Sequence, residues 1–155
     1  MTAGPVTATV AFREARRDEV PAILALLRDD MLGQGREGDD LAPYLAAYDA
    51  MQAEAANHLI VGLIDAQVIA CYQITFIAGL SLSAARRAQI EGVRVRPDQR
   101  GRRIGEALIR DAEARARTAG CTLLQFTTNR SRSEAHRFYD RLGFTPSHIG
   151  YKKSL

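Results

Sequence analysis

The sequence predicts a single α/β domain whose mixed sheet is covered by helices on both faces. A strand that ends near Val95 is followed by a helix over about 102–119 and by a buried strand over 121–128. This order is typical of a βαβ unit, so the two strands should be parallel. Two apolar runs, 58–64 and 68–77, are separated by a short turn and predict an antiparallel hairpin. At 155 residues the chain is long enough for one substantial core.

The first part of the chain predicts a strand and a helix. We expect residues 1–9 to be a flexible N-terminal leader, since they lack the basic and hydrophobic regions of a signal peptide, and residues 10–155 to form the domain. Residues 10–16 predict the opening strand. Asp18 is placed to cap the next helix, and Pro21 lies in its first turn, where no N–H is needed. The apolar residues at helical spacing are Val20, Ile23, Leu24, Leu27 and Met31.

Glycine and polar residues set the next boundaries. Residues 32–35 end the first helix and open a loop through Asp40, and 41–56 predicts a second helix. Residues 78–85 predict a loop after the hairpin. These boundaries separate the two early helices from the central strands.

The last third of the chain predicts one short helix and a final strand or two. Gly120 ends the long helix as a C′ glycine. Ser133 fits the N-cap of a short helix that ends near Leu142. The tail to Leu155 should supply one or two further strands.

Side-chain parity predicts a bulge in the strand that ends near Val95. Ile90 and the pair Val93 and Val95 fall on opposite parities, so a regular strand would send them to opposite faces. An inserted residue near Gly92 would return them to one face, and an isolated glycine in a strand often marks such a bulge. Glu91 lies directly before this glycine.

A turn rich in glycine and arginine joins this strand to the long helix. Its backbone N–H groups and the helix N-terminus converge on one point, which suits a phosphate or pyrophosphate. Arg96, Arg100, Arg102 and Arg103 add positive charge there. A solvated basic face, or a turn and helix start without a ligand, explains the same residues, and both alternatives stay open at this stage. The P-loop sequence Gly-Lys-Ser/Thr and the dinucleotide motif G-x-G-x-x-G are missing.

Composition narrows the class of protein. The formal net charge is +3, and no apolar run approaches the roughly 20 residues that a membrane span needs. Cys71 and Cys121 lie in apolar runs and are too few and too far apart for a zinc site, so we expect buried thiols in a reducing compartment. We therefore expect a cytoplasmic protein with no membrane partner.

Arginine is concentrated between Arg94 and Arg141, which raises the alternative of nucleic-acid binding. Between Arg94 and Arg132 the only aromatic residue is Phe126, so stacking on bases is not favoured. Three of the arginines follow an acidic residue by four positions, as helix-surface ion pairs do. These pairs are Glu106–Arg110, Asp111–Arg115 and Glu113–Arg117. We expect no nucleic-acid partner.

Two segments resemble the signatures of the GNAT family of N-acetyltransferases. Segment 93–105, Val-Arg-Val-Arg-Pro-Asp-Gln-Arg-Gly-Arg-Arg-Ile-Gly, resembles the acetyl-CoA signature Arg/Gln-x-x-Gly-x-Gly/Ala. Arg100 and Gly105 fit that signature, whereas Arg103 replaces its middle glycine. Segment 129–144 resembles the second signature, Asn…Ala…Phe-Tyr-x-x-Leu-Gly-Phe. The two segments occur in the family's order, with one helix and one strand between them.

The resemblance implies both a fold and a cofactor. The fold is an α/β domain with a mixed, mostly antiparallel central sheet of about six or seven strands, flanked by about four helices. The cofactor is acetyl-CoA or a related acyl-CoA, whose pyrophosphate the turn backbone would hold and whose pantetheine arm the bulge would bind. Arg103 would be tolerated if its φ stays helical. The cofactor-binding candidates are Val93, Arg94, Val95, Gln99, Arg100, Gly101, Arg102, Arg103, Ile104, Gly105, Asn129 and Arg132.

The resemblance also implies direct attack of an amine on the thioester. Glu91 is the candidate base, and partial burial beside the bulge would suit it to that role; alternatively it only binds the ammonium group of the substrate. Tyr139 occupies the position of the family's general acid and would protonate the leaving thiolate; alternatively it is a core tyrosine. The N–H groups at the bulge would polarise the acyl carbonyl.

The region of the first two helices forms one wall of the acceptor pocket in this family. Its aromatic and acidic residues are candidates for contact with an amine, or else core aromatics and solvated acids. They are Tyr44, Tyr48, Asp29, Asp30, Asp39 and Asp40. We expect acetyl transfer to a primary amine of a small molecule; a protein or peptide amine, or a non-catalytic acyl-CoA-binding module, are the alternatives. A homodimer is common in the family.

Overall fold

The computed structural model describes residues 9–30 and 33–155. Contacts divide the chain into two compact units, with the boundary between Gln125 and Phe126. Apart from residue 9, the predicted leader lies outside the described residues. So do Met31 and Leu32, which were assigned to the first helix and to its end.

The first unit contains a five-stranded mixed sheet. Its strands are β1 (Ala11–Glu14), β2 (Asn57–Ile64), β3 (Gln67–Ile77), β4 (Arg87–Val95) and β5 (Leu123–Gln125). Neighbours follow the order of the sequence, and every pair is antiparallel except β4 and β5, which are parallel. The predicted hairpin and the predicted parallel pair are both confirmed.

Helices of the first unit lie between β1 and β2, between β3 and β4, and between β4 and β5. They are α1 (Val20–Arg28), α2 (Ala42–Ala53), α3 (Ser81–Ala84) and α4 (Ile104–Thr118). Leu82 and Ser83 have φ of +54° and +58°, so α3 is a left-handed turn within the predicted loop. Short 3₁₀ turns, Arg17–Glu19 and Pro97–Gln99, lie before α1 and α4. None of the helices in the described ranges is long and apolar enough to cross a membrane.

Helices cover both faces of the sheet, as predicted. On one face, Cys71 of β3 belongs to a buried cluster with Ile23 of α1 and Tyr48 of α2. Successive side chains of a strand alternate between faces, and the next residue, Tyr72, donates a hydrogen bond to Asp111 of α4. Burial and this acceptor raise the pKa of Tyr72, so the phenol remains a donor. The sheet is thus packed between α1 and α2 on one side and α4 on the other.

The second unit contains α5 (Ser133–Arg141). Residues 145–155 include no strand, so the predicted final strands are wrong. Pro146 lacks an amide donor, and the tail has no sustained alternation of apolar and polar residues. β5 is also shorter than predicted, at three residues. The α/β class and the mostly antiparallel sheet are confirmed, with fewer strands than the resemblance implied.

The start of α1 differs from the prediction. The residue at its N-cap is Glu19 rather than Asp18, because a 3₁₀ turn is inserted before the helix. The Glu19 carboxylate accepts hydrogen bonds from the backbone N–H of Arg16, at 2.8 Å, and from both terminal nitrogens of Arg13, at 2.6 and 2.9 Å. Glu19 is buried, so these bonds compensate the loss of its hydration.

The end of α4 follows the prediction. Gly120 has φ of +78°, a conformation that glycine adopts without strain. Its N–H donates to the carbonyl of Arg117 at 3.0 Å, and that of Cys121 donates to the carbonyl of Ala116 at 2.8 Å. These two bonds form a Schellman motif and confirm Gly120 as the C′ residue.

We expect Glu19→Gln to lower the free energy of unfolding at neutral pH by about 1–2 kcal/mol, because the buried bonds to Arg13 lose their charge assistance. The Arg13 guanidinium lowers the pKa of Glu19 from its ordinary value of 4.5. This contribution is complete above that ordinary value and is lost as the pH falls through the lowered, folded-state value. Urea unfolding of both proteins at a series of pH values tests it: the difference should shrink in acid, and a pH-independent difference would contradict it.

Candidate active site

A bulge interrupts β4 at the predicted position. The register pairs Cys71 with Arg94 and Gln73 with Glu91. One more residue therefore lies between the paired positions on β4 than on β3, and Gly92, within this stretch, has φ of +59°. The bulge thus uses a conformation that favours glycine.

The bulge realigns the apolar side chains of β4. Ile90 pairs with Ile74, and Val95 pairs with Ala70. Ile74 and Ala70 have the same parity on β3, so Ile90 and Val95 share a face. The parity argument made from the sequence is confirmed, and Glu91 lies on the opposite face, the side of α1 and α2.

The edge of β4 is open beside the bulge. The ladder between β4 and β5 joins Arg87–Gln89 to Leu123–Gln125. From Ile90 onwards β4 has therefore lost β5 as its neighbour, just before the bulge begins. Glu91 is exposed, so the expected partial burial is wrong, because the ladder that would have covered it has already ended. Its carboxylate lies 3.4 Å from the amide nitrogen of Gln89.

Protein groups hold both carbonyl oxygens of the bulge. Arg94 donates a hydrogen bond of 2.9 Å to the carbonyl of Val93, and its guanidinium lies 3.1 Å from the carboxylate of Asp30. The Cys71 thiol lies 3.6 Å from the carbonyl oxygen of Gly92. The side chain of Arg94, a cofactor-binding candidate, is therefore engaged within the protein.

The turn between β4 and α4 carries uncompensated positive charge. Arg100 donates to the carbonyl of Val95 at 3.3 Å, and Arg102 donates to the side chain of Gln99 at 2.5 Å. Within the described residues neither arginine forms an ion pair with a carboxylate. Gly101 has φ of +75°, and a Cβ added there would meet no atom within 4 Å. The turn is therefore exposed as well as basic.

Arg103 adopts an unexpected conformation at the N-terminus of α4. Its φ and ψ are +61° and +19°, in the left-handed region, so the condition of a helical φ, under which Arg103 was to be tolerated, is not met. The left-handed conformation turns the chain from Gly101 into Ile104, and a glycine would adopt it at lower cost. The guanidinium is held by Glu106 at 2.9 and 3.2 Å, one turn into the helix.

The N-terminus of α4 remains able to bind an anion. In the described part of the chain no side chain caps it, and the first N–H groups of any helix have no intrahelical partner. The helix dipole and the charges of Arg100 and Arg102 favour a negative group there. These features suit a pyrophosphate, for which the backbone N–H groups of Ile104 and Gly105 could act as donors.

We expect Arg103→Gly to be more stable than Arg103→Ala, with a melting temperature about 3 °C higher, because both lose the bond to Glu106 but only glycine relieves the left-handed backbone. Thermal unfolding of the two variants, followed by circular dichroism, measures the difference. Equal melting temperatures would show that Arg103 is not strained.

Tyr139 lies in the second unit, on α5. Its ring packs against Phe126, Phe138 and Phe144, with centroid separations of 4.1, 5.1 and 5.7 Å. The ring is half-buried. Gly143 has φ of +88° and ends α5 in the same motif that ends α4, which brings Phe144 back onto the helix. The aromatic cluster thus fixes the plane of the phenol.

Asn129 and Arg132 form the turn that enters α5. The Asn129 side-chain oxygen accepts hydrogen bonds from the N–H and hydroxyl of Ser131, at 3.0 and 2.8 Å. Arg132 occupies the N-cap position and is exposed. The amide nitrogen of Asn129 takes no part in these two bonds and is a donor of the kind that a ligand carbonyl needs.

The residues proposed for the acceptor wall divide into those engaged within the protein and those exposed at its surface. Tyr48 is buried and donates to the carbonyl of Ala15 at 2.9 Å, so it is a core aromatic. Tyr44 donates to Glu37 at 2.8 Å. Asp30 pairs with Arg94, whereas Asp29, Asp39 and Asp40 are exposed.

A cavity of about 620 Å³ lies along α1. Its wall is apolar where α1 and Val68 contribute, and it also presents Arg28, Asp29 and Arg96. Positively and negatively charged side chains therefore line the same cavity. Sequence reasoning missed this cavity because Arg28 and Arg96 are far apart in the sequence. It missed the ion pair between Asp30 and Arg94 for the same reason.

Solved structures similar to this chain cover almost all of it. A crystal structure of a transcriptional regulator from Bacillus halodurans C-125 is 36% identical, with a TM-score of 0.91, over 95% of this chain and 100% of that one. A predicted acetyltransferase from Clostridium acetobutylicum, in a structure with acetyl-CoA, shares the fold, with a TM-score of 0.71 at 15% identity over 93% of this chain and 96% of that one.

A third relative is an aminoalkylphosphonate N-acetyltransferase of Salmonella typhimurium. It is 43% identical over 67 residues, which is 43% of this chain and 44% of that protein. The match thus spans less than half of that relative. The family model described as the acetyltransferase (GNAT) family matches residues 20–144, and that range includes the bulge, the basic turn and α5. The chain therefore belongs to the GNAT family of acetyltransferases, which use acetyl-CoA.

Proposed function

We propose that the protein is an N-acetyltransferase that moves the acetyl group of acetyl-CoA to the primary amine of a small molecule. The observation that carries this proposal is that four features follow one another along the chain from β4 to α4. They are an exposed Glu91, a bulge at Gly92, a basic turn and the uncapped N-terminus of α4. Together they supply a carboxylate, free backbone donors and an anion site in one continuous stretch.

Backbone groups would hold most of the cofactor. The N–H groups from Gly101 to Gly105 suit its pyrophosphate, with Arg100 and Arg102 adding attraction. The bulge backbone at Val93 and Val95, and the amide of Asn129, suit the pantetheine arm. The bound group supplies an activated acetyl thioester.

Two side chains would move the protons. Glu91, exposed beside the bulge, can take a proton from the attacking amine directly or through one water molecule. Tyr139, whose ring is fixed by aromatic neighbours, can give a proton to the leaving thiolate. Bulge N–H groups would stabilise the charge that develops on the acyl oxygen.

The cavity along α1 supports a small, charged acceptor. Asp29 can attract an ammonium group, and Arg28 and Arg96, although paired with Asp39 and Asp98, add positive charge along the same wall. An amine that also carries a phosphonate, like the substrate named for the Salmonella relative, combines both charges. A protein or peptide amine is the alternative acceptor.

A competing function is suggested by the relative described as a transcriptional regulator. Nucleic-acid binding needs cations that are free to meet phosphates. Six of the twelve arginines between Arg94 and Arg141 instead pair with acids of the same protein. These pairs are Arg94–Asp30, Arg96–Asp98, Arg103–Glu106, Arg110–Glu106, Arg115–Asp111 and Arg117–Glu113. The pairing favours the enzyme.

Thiol release from acetyl-CoA tests the proposal. The purified protein is assayed with three acceptors: a short aminoalkylphosphonate, the alkylamine of the same length without phosphonate, and a lysine-containing peptide. We expect turnover with the first and a kcat/KM lower by about tenfold or more with the second, since one charge pair is lost. Preference for the peptide would support the alternative acceptor, and no thiol release with any primary amine, despite acetyl-CoA binding, would favour a non-catalytic module.

A further inference from the structure

A half-buried ion pair ties the end of α1 to the bulge of β4. The Arg94 guanidinium lies 3.1 Å from Asp30, and the two side chains are only 16% and 19% exposed. Solvent screens such a pair less than a surface pair. The same guanidinium donates to the carbonyl of Val93 at 2.9 Å. One side chain therefore contacts both the bulge and the turn that follows α1.

Asp30 extends the connection to the loop that follows α1. Its carboxylate accepts a hydrogen bond from the N–H of Gly33, and its carbonyl accepts one from Gln34 at 3.0 Å. A Cβ added to Gly33 would lie 1.9 Å from the carbonyl oxygen of Leu27, so only glycine fits this approach. The start of the loop over 33–41 is thus fixed to Asp30, in the turn that follows α1.

Two further contacts hold the bulge, one from α1 and one from β3. A methyl group of Leu27 lies 3.5 Å from the position that a Cβ of Gly92 would take. Burial raises the pKa of the Cys71 thiol to about 12, so the thiol stays protonated and can donate to the carbonyl of Gly92. With both carbonyls held, the remaining donors of the bulge have a defined direction.

We infer that Arg94 and Asp30 are positioning residues that fix the β4 bulge and couple it to the loop over 33–41. The inference rests on the proposed function, in which the bulge binds the acyl-CoA and the acceptor lies in the cavity along α1, which Gln34 of that loop lines. Binding at the bulge then orders the loop, because a ligand that stabilises one arrangement of the bulge also stabilises the ion pair and the Gly33 turn. Arg94 acts through its neighbours rather than by contact with a phosphate.

Amide hydrogen exchange tests this coupling with acetyl-CoA as the probe. In the wild type we expect acetyl-CoA to slow exchange about fivefold or more both at the N-terminus of α4 and in the loop over 33–41. In Arg94→Gln and Asp30→Asn, slowing should persist at α4 but fall below about twofold in the loop. Arg94→Lys retains the charge and should recover part of the loop effect.

Arg13→Gln is the matched control, because it breaks a comparable partly buried pair, with Glu19, away from the bulge. Its loop should still respond to acetyl-CoA. Loop protection that survives in Arg94→Gln and Asp30→Asn, or that is lost equally in Arg13→Gln, would overturn the inference.

Ligand-free exchange separates this inference from the proposed function. Without ligand, Arg94→Gln should speed exchange in the loop over 33–41 about fivefold while the amides of β2 and β3 stay as in the wild type. A loop unchanged by the substitution overturns the coupling whether or not acetyl-CoA binds. Failure of the wild-type α4 amides to respond to acetyl-CoA would instead count against the proposed function.

Discussion

Glu91→Gln should lower kcat for acetyl transfer about 100-fold or more, since a positioned general base contributes about that much to a proton transfer. Glutamine keeps the size and the contact with Gln89 but cannot accept the amine proton. The carboxylate is exposed beside the bulge, so the substitution should leave both the free energy of unfolding and acetyl-CoA affinity nearly unchanged. Steady-state thiol release, at saturating amine and at low amine, measures the effect on kcat and on KM separately.

The control for Glu91 is Glu113→Gln, which removes a carboxylate on α4 that pairs with Arg117. This variant should retain wild-type kcat and KM. An increase in KM at constant kcat for Glu91→Gln would mean that the carboxylate binds the ammonium group and is not the base. Wild-type values of both constants would remove Glu91 from the mechanism.

Tyr139→Phe should lower kcat about tenfold to 100-fold, because the leaving thiolate loses its proton donor. The substitution removes one hydroxyl and keeps the ring that packs on Phe126, Phe138 and Phe144. The affinity for acetyl-CoA should therefore stay within about twofold. Rapid-mixing measurement of thiol release, together with calorimetric binding, distinguishes a slowed chemical step from weakened binding.

Tyr151→Phe is the control for Tyr139, since this tyrosine belongs to the same unit and is 91% exposed. It should behave as the wild type in both assays. If Tyr139→Phe loses stability but no activity, its hydroxyl has a structural role alone, as in a core tyrosine.

Local patterns were sufficient to predict much of the site. The parity of Ile90 against Val95 and the isolated Gly92 located the bulge, because side chains of a strand must alternate and a bulge is what restores one face. Gly120 located the end of α4 for a similar reason: the left-handed C′ conformation favours glycine. The three helix-surface ion pairs of α4 were also predicted, since spacing by four residues places them side by side.

Features that depend on distant contacts were not predictable. The exposure of Glu91 follows from the position at which the β4–β5 ladder ends. The sequence predicted one strand over 121–128 and gave no sign that pairing with β4 would stop at Gln125. Arg103 takes a left-handed conformation that its residue type disfavours. Arg94 was expected to serve the cofactor, whereas its side chain meets Asp30, a partner from the turn that follows α1. Such pairings arise from tertiary packing, and sequence spacing carries no signal of them.

Calorimetric titration with acetyl-CoA tests the central claim most directly, because the bulge, the basic turn and the α4 N-terminus are assigned to this cofactor. We predict one site per chain with a dissociation constant of about 1–100 μM, and weaker binding when the charge of the turn is reversed in Arg100→Glu or Arg102→Glu. A wild-type protein that shows no heat of binding at millimolar acetyl-CoA, while remaining folded, would contradict the account.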